Sequence, residues 1–223
     1  MIHCVPAVLN PNEVAAIRSK LESASFADGA GTAGWSAREV KRNLQVTSGP
    51  EYEQIARIVR EAFMRSGELQ AALLPARATP VLFNRYAQAM EYGPHVDTPV
   101  MGNMSNSIRS DIAITIFLCD PQSYDGGELT VFMNGISNQF KLEAGGAIAY
   151  PANTLHHVTP VTRGVRDAAI IWVQSQVRDP ARREVLWDLE NAKHEIFKRE
   201  GKSSSFDLIS KSRANLIRMW AEV

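Results

Sequence analysis

The change of period at Val81 constrains this fold more than any other feature of the chain. From there to Val177, short apolar or alternating runs are separated by turn chemistry, the signature of antiparallel β-structure. The runs are Val81 to Ala87, the stretch at His95, Asp111 to Leu118, Leu129 to Met133, Gln139 to Leu142, Ala147 to Tyr150, His156 to Thr159 and Ala168 to Val177. Asn134-Gly135 predicts a tight hairpin turn, and Asp125-Gly126-Gly127 and Gly145-Gly146 predict further turns. About eight strands in two sheets point to a jelly roll.

Helical periods flank this region. Asn10-Pro11-Asn12-Glu13 sets a cap residue, a proline at the first helical position and an acid three after the cap, and Val14, Ile17 and Leu21 follow at helical spacing. The glycine-rich stretch Asp28 to Gly34 reads as a loop. Ile55, Ile58, Val59, Ala62 and Phe63 predict a second helix that stops near Gly67. After Asp179-Pro180 the helical period returns, with Leu186, Leu189, Ile196 and Phe197, then Leu208, Ile209, Leu216, Ile217 and Trp220. The expected organisation is one mainly β catalytic domain over residues 1–178, with its β-core at about 81–178 and its N-terminal helices packed on the barrel, followed by a helical extension over 179–223.

Lys plus Arg equals Asp plus Glu at 24 each, so the formal charge is zero and no nucleic-acid partner is indicated. The first residues lack a basic segment followed by an apolar stretch, and no apolar run reaches the length that crosses a bilayer, so a soluble, cytoplasmic protein without a membrane partner is expected. Cys4 and Cys119 are too few for a disulfide framework, and neither reads as a metal ligand.

The chemistry starts at His95-Val96-Asp97. In an extended strand residues i and i+2 face the same side, so an imidazole and a carboxylate can aim at one point. A second histidine would complete a site of two histidines and one carboxylate on one face of an ion, the arrangement of non-haem Fe(II) oxygenases. His156 and His157 are adjacent and face opposite sides of a strand, so only one can join, and spacing alone does not choose between them. Arg166 favours His156: it stands ten residues on, after a Pro160 to Gly164 stretch that can turn the chain back into a neighbouring strand. Arg166, Ile170 and Trp172 share parity, so a regular strand points them to one face. An arginine aimed into an apolar barrel needs an anion, and a dicarboxylate co-substrate would supply one that suits the guanidinium fork. Tyr86 either adds a hydrogen bond to that carboxylate or is a core tyrosine with a satisfied hydroxyl. Trp172 is either a wall of the site or an ordinary core tryptophan. The polar, methionine-containing stretch between Asp97 and Asp111 is either a lid or a simple connection.

Several ordered motifs together closely resemble the bacterial PKHD-type hydroxylases, a group of the prolyl 4-hydroxylase-like Fe(II)/2-oxoglutarate-dependent dioxygenases. They are Lys41-Arg42-Asn43-x-Gln45, Phe83-Asn84-Arg85-Tyr86, Tyr92-Gly93-x-His95-Val96-Asp97, Arg109-Ser110-Asp111, Tyr124-Asp125-Gly126-Gly127-Glu128-Leu129, Tyr150-Pro151, Leu155-His156-x-Val158-Thr159-Pro160-Val161-Thr162-Arg163-Gly164-x-Arg166 and Trp172-x-Gln174-Ser175. The resemblance implies a double-stranded β-helix (a cupin-like jelly roll) with helices at both ends, His95, Asp97 and His156 as iron ligands, and Arg166 as the partner of the 2-oxoglutarate C5-carboxylate. It implies Fe(II), 2-oxoglutarate and O2 as required species, with ascorbate as reductant. Two departures lie near the mouth of the site: Ala87-Gln88-Ala89-Met90-Glu91 stands where relatives usually carry glycines, and Thr98 follows the aspartate where asparagine is common. The expected reaction is hydroxylation of a small-molecule or peptidyl substrate with release of succinate and CO2. The alternatives are a non-redox cupin-like hydrolase or isomerase, which gives no reason for a buried Arg166, and a catalytically silent metal-binding barrel, against which the intact ligand set argues.

Overall fold

In the computed structural model, which describes residues 1–103 and 105–222, the first helix α1 spans Pro11–Ser23. Its capping box is complete: Asn10 Oδ1 accepts from the Glu13 N–H at 3.0 Å and Glu13 Oε2 from the Asn10 N–H at 2.9 Å. Helix α2 spans Pro50–Arg65 and buries Ile55, Ala56, Val59, Ala62 and Phe63 on one side. It ends where sequence spacing places the end, yet a further helix α3, Gly67–Leu73, starts at once. Ser66 serves both, its N–H donating to Ala62 O at 3.2 Å and its hydroxyl accepting from the Leu69 N–H at 3.4 Å. A serine that closes one helix and caps the next turns the chain without a loop.

Two antiparallel sheets form the centre. The larger, eight-stranded sheet runs in the order His3–Val5, Ala147–Pro151, Ile112–Phe117, Arg166–Ser175, Leu82–Tyr86, Leu44–Val46 and Phe26–Asp28, with Pro75–Ala78 also pairing to Arg166–Ser175. The smaller, five-stranded sheet runs Ile136–Phe140, Leu129–Met133, His156–Val158, Glu91–His95 and Lys41–Arg42. Alternate residues of the larger sheet feed two cores. Ile112, Ile114, Ile116, Ile171 and Val173 meet Ile17, Ile55, Val59 and Leu69 of the first three helices. Ala113, Phe117, Ile148 and Tyr150 face Leu129, Val131 and Val158 of the smaller sheet. Burial on both faces explains why these strands read as nearly continuous apolar runs.

Asn134 and Gly135 take φ of 55° and 75°, the left-handed pair of a two-residue hairpin turn, and join Leu129–Met133 to Ile136–Phe140. The second arm lies earlier than the Gln139 to Leu142 run predicts, because this edge strand leaves Ile136 in solvent and its apolar signal sits at its far end. Between Asp97 and Asp111 the chain forms a small hairpin, Val100–Met101 against Ile108–Arg109, which Arg77 ties down through Ser107 O at 2.7 Å. Met104, within that stretch, lies outside the described residues. Helices α4, Pro180–Glu200, and α5, Ser204–Trp220, pack against each other, and α4 also contacts α3. No helix among the described residues is long and apolar enough to cross a membrane.

Candidate metal centre

His95 and His156 are direct cross-strand partners in the smaller sheet, which brings their rings to a centroid separation of 4.2 Å. The strand ends at His95, so Asp97 stands just past it, but the alternation persists: Val96 is half exposed, whereas the Asp97 side chain is 7% exposed. His95, Asp97 and His156 each present one ligand atom, and all three atoms lie within 4.8 Å of one another. Asp97 Oδ1 is 3.7 Å from His156 Nε2, and its buried Oδ2 has no hydrogen-bond partner.

The two imidazoles are held the same way. His95 Nδ1 is 2.8 Å from Gly93 O and His156 Nδ1 is 2.9 Å from Thr154 O. A carbonyl acceptor two residues back places the proton on Nδ1 and leaves the Nε2 lone pair free for a metal. Burial first, and then the neighbouring His156, push the His95 pKa down to about 3, so this ring is neutral. Burial raises the pKa of Asp97, opposed by His156, by the indole N–H of Trp172 and by Lys41. Two imidazoles, each with Nδ1 on a backbone carbonyl, and a carboxylate with an unmet oxygen fit a divalent ion, which would satisfy all three at once.

His157 goes elsewhere. It pairs across to Thr130 and turns its ring toward Phe132 on the opposite face of the strand, at 5.5 Å. The structure thus brings together His156 and not its neighbour.

Arg166 opens the strand Arg166–Ser175 as the cross-strand partner of Tyr86 and is 1% exposed. Its guanidinium lies 5.1 Å from the Tyr86 ring centroid and 5.4 Å from that of Phe117, and its Nε–H is buried without a partner. Among the described residues no carboxylate forms an ion pair with it. A buried cation without an anion is costly, so the site is shaped to receive one. Gly127 makes room for the arginine: its φ is +67°, and a Cβ there would lie 2.9 Å from Arg166 Cδ.

Tyr86 is buried with its ring face against the guanidinium and its hydroxyl turned to Asn43. Burial raises its pKa to about 12, while Arg166 and Asn43 pull the other way. Trp172 is half-buried, packs on the inner core, and turns its indole N–H toward Asp97 without reaching full hydrogen-bond geometry. Sequence patterning does not single out Phe117, Tyr124, Lys41 or Asn43 as site residues. Tyr124, whose phenol reaches Arg166, is signalled only by the Asp-Gly-Gly turn that follows it. Tyr92, stacked on His95 at 3.6 Å, is signalled only by its place before the His-x-Asp triplet.

The chain matches known proteins in sequence and in fold. Residues 81–174 match the 2OG-Fe(II) oxygenase superfamily. Over 222 residues, covering 100% of both chains, the sequence is 47% identical to a PKHD-type hydroxylase of Gloeothece citriformis. It is 43% identical over 223 residues, again 100% of both, to a PKHD-type hydroxylase of Synechococcus elongatus. The crystal structure of a Pseudomonas putida prolyl-4-hydroxylase superposes with a TM-score of 0.53 at 17% identity, covering 78% of this chain and 92% of that one.

Proposed function

Because the chain belongs to the PKHD-type hydroxylases, within the 2OG-Fe(II) oxygenase superfamily, we propose that His95, Asp97 and His156 hold its Fe(II) and that Arg166 binds the far carboxylate of 2-oxoglutarate. The protein is a 2-oxoglutarate-dependent dioxygenase, an oxidoreductase that requires Fe(II), 2-oxoglutarate and O2. One observation carries the residue assignment: a convergent triad of two histidines and an aspartate shares the barrel interior with a buried arginine that has no counter-ion.

When bound, the ferrous ion with 2-oxoglutarate and O2 supplies the oxidising chemistry: one oxygen atom enters a substrate C–H bond as hydroxyl, the other enters succinate, and CO2 is released. The chain's own residues arrange that chemistry. His95, Asp97 and His156 would hold the ion as three protein ligands and leave it free to take further ligands. The Arg166 fork meets a carboxylate with paired, charge-assisted hydrogen bonds, and the faces of Tyr86 and Phe117 keep water from it. Against burial, which raises the Asp97 pKa, His156 and the Trp172 N–H favour the ionised form, the form that ligates.

The primary substrate is a small molecule or a peptidyl side chain, and ascorbate serves as the reductant that keeps the metal ferrous. A cytoplasmic location suits the two thiols, Cys4 exposed and Cys119 buried, neither of them in a disulfide.

Anaerobic addition of Fe(II) and 2-oxoglutarate tests the assignment, because the chelate gives a weak visible band at roughly 500 nm. The band is expected in the wild-type protein and lost in His95→Ala and Asp97→Ala, together with succinate formation. Full turnover in both variants would refute the ligand assignment.

A further inference from the structure

The segment Lys41 to Gln45 inverts the usual strand pattern. Its inward residues are polar, with Lys41, Asn43 and Gln45 at 6%, 3% and 4% exposure, while Arg42 between them faces solvent. The segment also changes sheets. Lys41 pairs with Tyr92 in the smaller sheet and Gln45 with Asn84 in the larger, so the polar stripe spans the gap between the two sheet edges beside His95.

The three side chains differ in what they have left to offer. Gln45 is engaged at both ends, accepting from Thr32 Oγ1 at 2.9 Å and donating to Asn84 Oδ1 at 2.7 Å. Asn43 has both amide atoms buried and neither hydrogen-bonded, and its Oδ1 sits where a Cβ on Gly29 would fall, at 2.0 Å. Lys41 donates one hydrogen bond, to Thr32 Oγ1 at 2.9 Å, and its ammonium lies 5.0 Å from the centroid of Tyr92, the ring that stacks on His95. Among the described residues no carboxylate lies within ion-pair distance of Lys41. Asp97 and Asp28 act on it only at longer range, and despite them burial lowers its pKa to about 8, which leaves it a cation at neutral pH. An ammonium has three donors, and a buried one with spare donors and no counter-ion is unmatched.

We propose that Lys41, backed by Asn43, is the recognition point for a carboxylate on the primary substrate. The molecule hydroxylated at the metal centre is then an organic acid, or a larger molecule presenting a carboxylate near the reacting carbon. This inference rests on the metal-centre assignment above but uses a separate anion site. Arg166 lies against the Tyr86 ring, whereas Asn43 lies at the Tyr86 hydroxyl and Lys41 lies on Tyr92. Two cations on different tyrosines serve two different carboxylates.

The test uses the full chain loaded with Mn(II) and saturating 2-oxoglutarate, and the probes are benzoate and benzamide, which differ only in the charged group. Paramagnetic broadening of the probe proton signals reports residence beside the metal. Benzoate should be broadened about tenfold more than benzamide, as expected of one charge-assisted hydrogen bond. Lys41→Met should level the two, and Lys41→Arg should keep part of the difference. A cooperative thermal melt of each variant serves as the folding control, and titration of 2-oxoglutarate into each folded, Mn(II)-loaded variant should give affinities within about threefold of wild type, a spread of less than one hydrogen bond. Equal broadening in the wild type, or a benzoate preference that survives Lys41→Met, overturns the proposal. So does a large loss of 2-oxoglutarate affinity in Lys41→Met, which would assign the ammonium to the co-substrate, or a loss of Mn(II) affinity alone, which would make it an electrostatic support for Asp97. A wild-type protein that fails to bind 2-oxoglutarate with Mn(II) would bring down the metal-centre assignment, and this inference with it.

Discussion

Arg166 shows how a single side chain can be shaped by its neighbours. Gly127 gives it room, Tyr86 and Phe117 flank its guanidinium, and Tyr124 reaches it through a phenol. Replacing it with alanine removes a buried charge partner, a change that typically costs 3–5 kcal/mol. Arg166→Ala should therefore weaken 2-oxoglutarate binding by about two orders of magnitude or more while leaving metal affinity close to wild type, as read by anaerobic titration. Arg163→Ala is the control: Arg163 is exposed and paired with Asp125 at 2.7 Å, so co-substrate affinity should not change. At this scale the sequence is legible where chemistry and parity coincide. Two histidines, an aspartate and an arginine stand at spacings that a strand converts into one site. Lys41 and Asn43 belong to a motif that carries the family resemblance, but their place at the site is not legible, because a polar residue at an inward position looks the same in sequence as one facing water. What marks them is the burial of their side chains, a tertiary fact.

Among the elements, legibility follows packing. Leu129–Met133 and Ile112–Phe117 stand close to where their apolar runs predict, since both have buried faces. The short strands Lys41–Arg42 and Leu44–Val46 have no such run, being held by pairing to neighbours far along the chain. Helix α3 is hidden by Gly67, which reads as an end although Ser66 caps a new start. The α4–α5 pair is pinned by Glu190, which accepts from Lys193 at 2.6 Å and lies 2.9 Å from both His194 and Arg213. Burial raises the pKa of Glu190, but the Lys193 hydrogen bond, Arg213 and His194 outweigh it, so the net pKa lies below the ordinary 4.5. A carboxylate with a lowered folded-state pKa contributes its full stability above the unfolded value and loses it as pH falls through the folded one. The protection of α5 amides, taken relative to the intrinsic exchange rate at each pH, should therefore fall on acidification below about pH 4.5. Glu190→Gln should cost about 1–2 kcal/mol at neutral pH and flatten that acid response, and an α5 whose exchange ignores both changes would show that Glu190 does not pin it.

At the scale of the whole molecule, the candidate ligands come from the smaller sheet and its edge, and the anion site from the larger. A metal bound by the triad and a dicarboxylate reaching from it to Arg166 would link the two sheets, and a ligand that binds the folded state alone stabilises it. At a hundredfold excess over the dissociation constant that linkage is worth about 2.7 kcal/mol, or roughly 5–10 °C in Tm for a chain of this size. Mn(II) with 2-oxoglutarate should give a shift of that order in a thermal melt, and EDTA should reverse it. Metal alone should give less, and an unchanged Tm with both would argue against a bridge between the sheets.

The depth of Arg166 also fixes an order of arrival. Its guanidinium is buried among Tyr86, Phe117 and Tyr124, whereas Lys41, also buried, stands on the outer strand of the smaller sheet and pairs with Tyr92. If Arg166 holds the keto acid and Lys41 the molecule to be hydroxylated, the second would sit outside the first, so the keto acid would settle before the molecule to be hydroxylated. Departure would run in reverse, the hydroxylated product leaving before succinate. The architecture would then make this a queue, and the guest that goes in deepest would be the last one out.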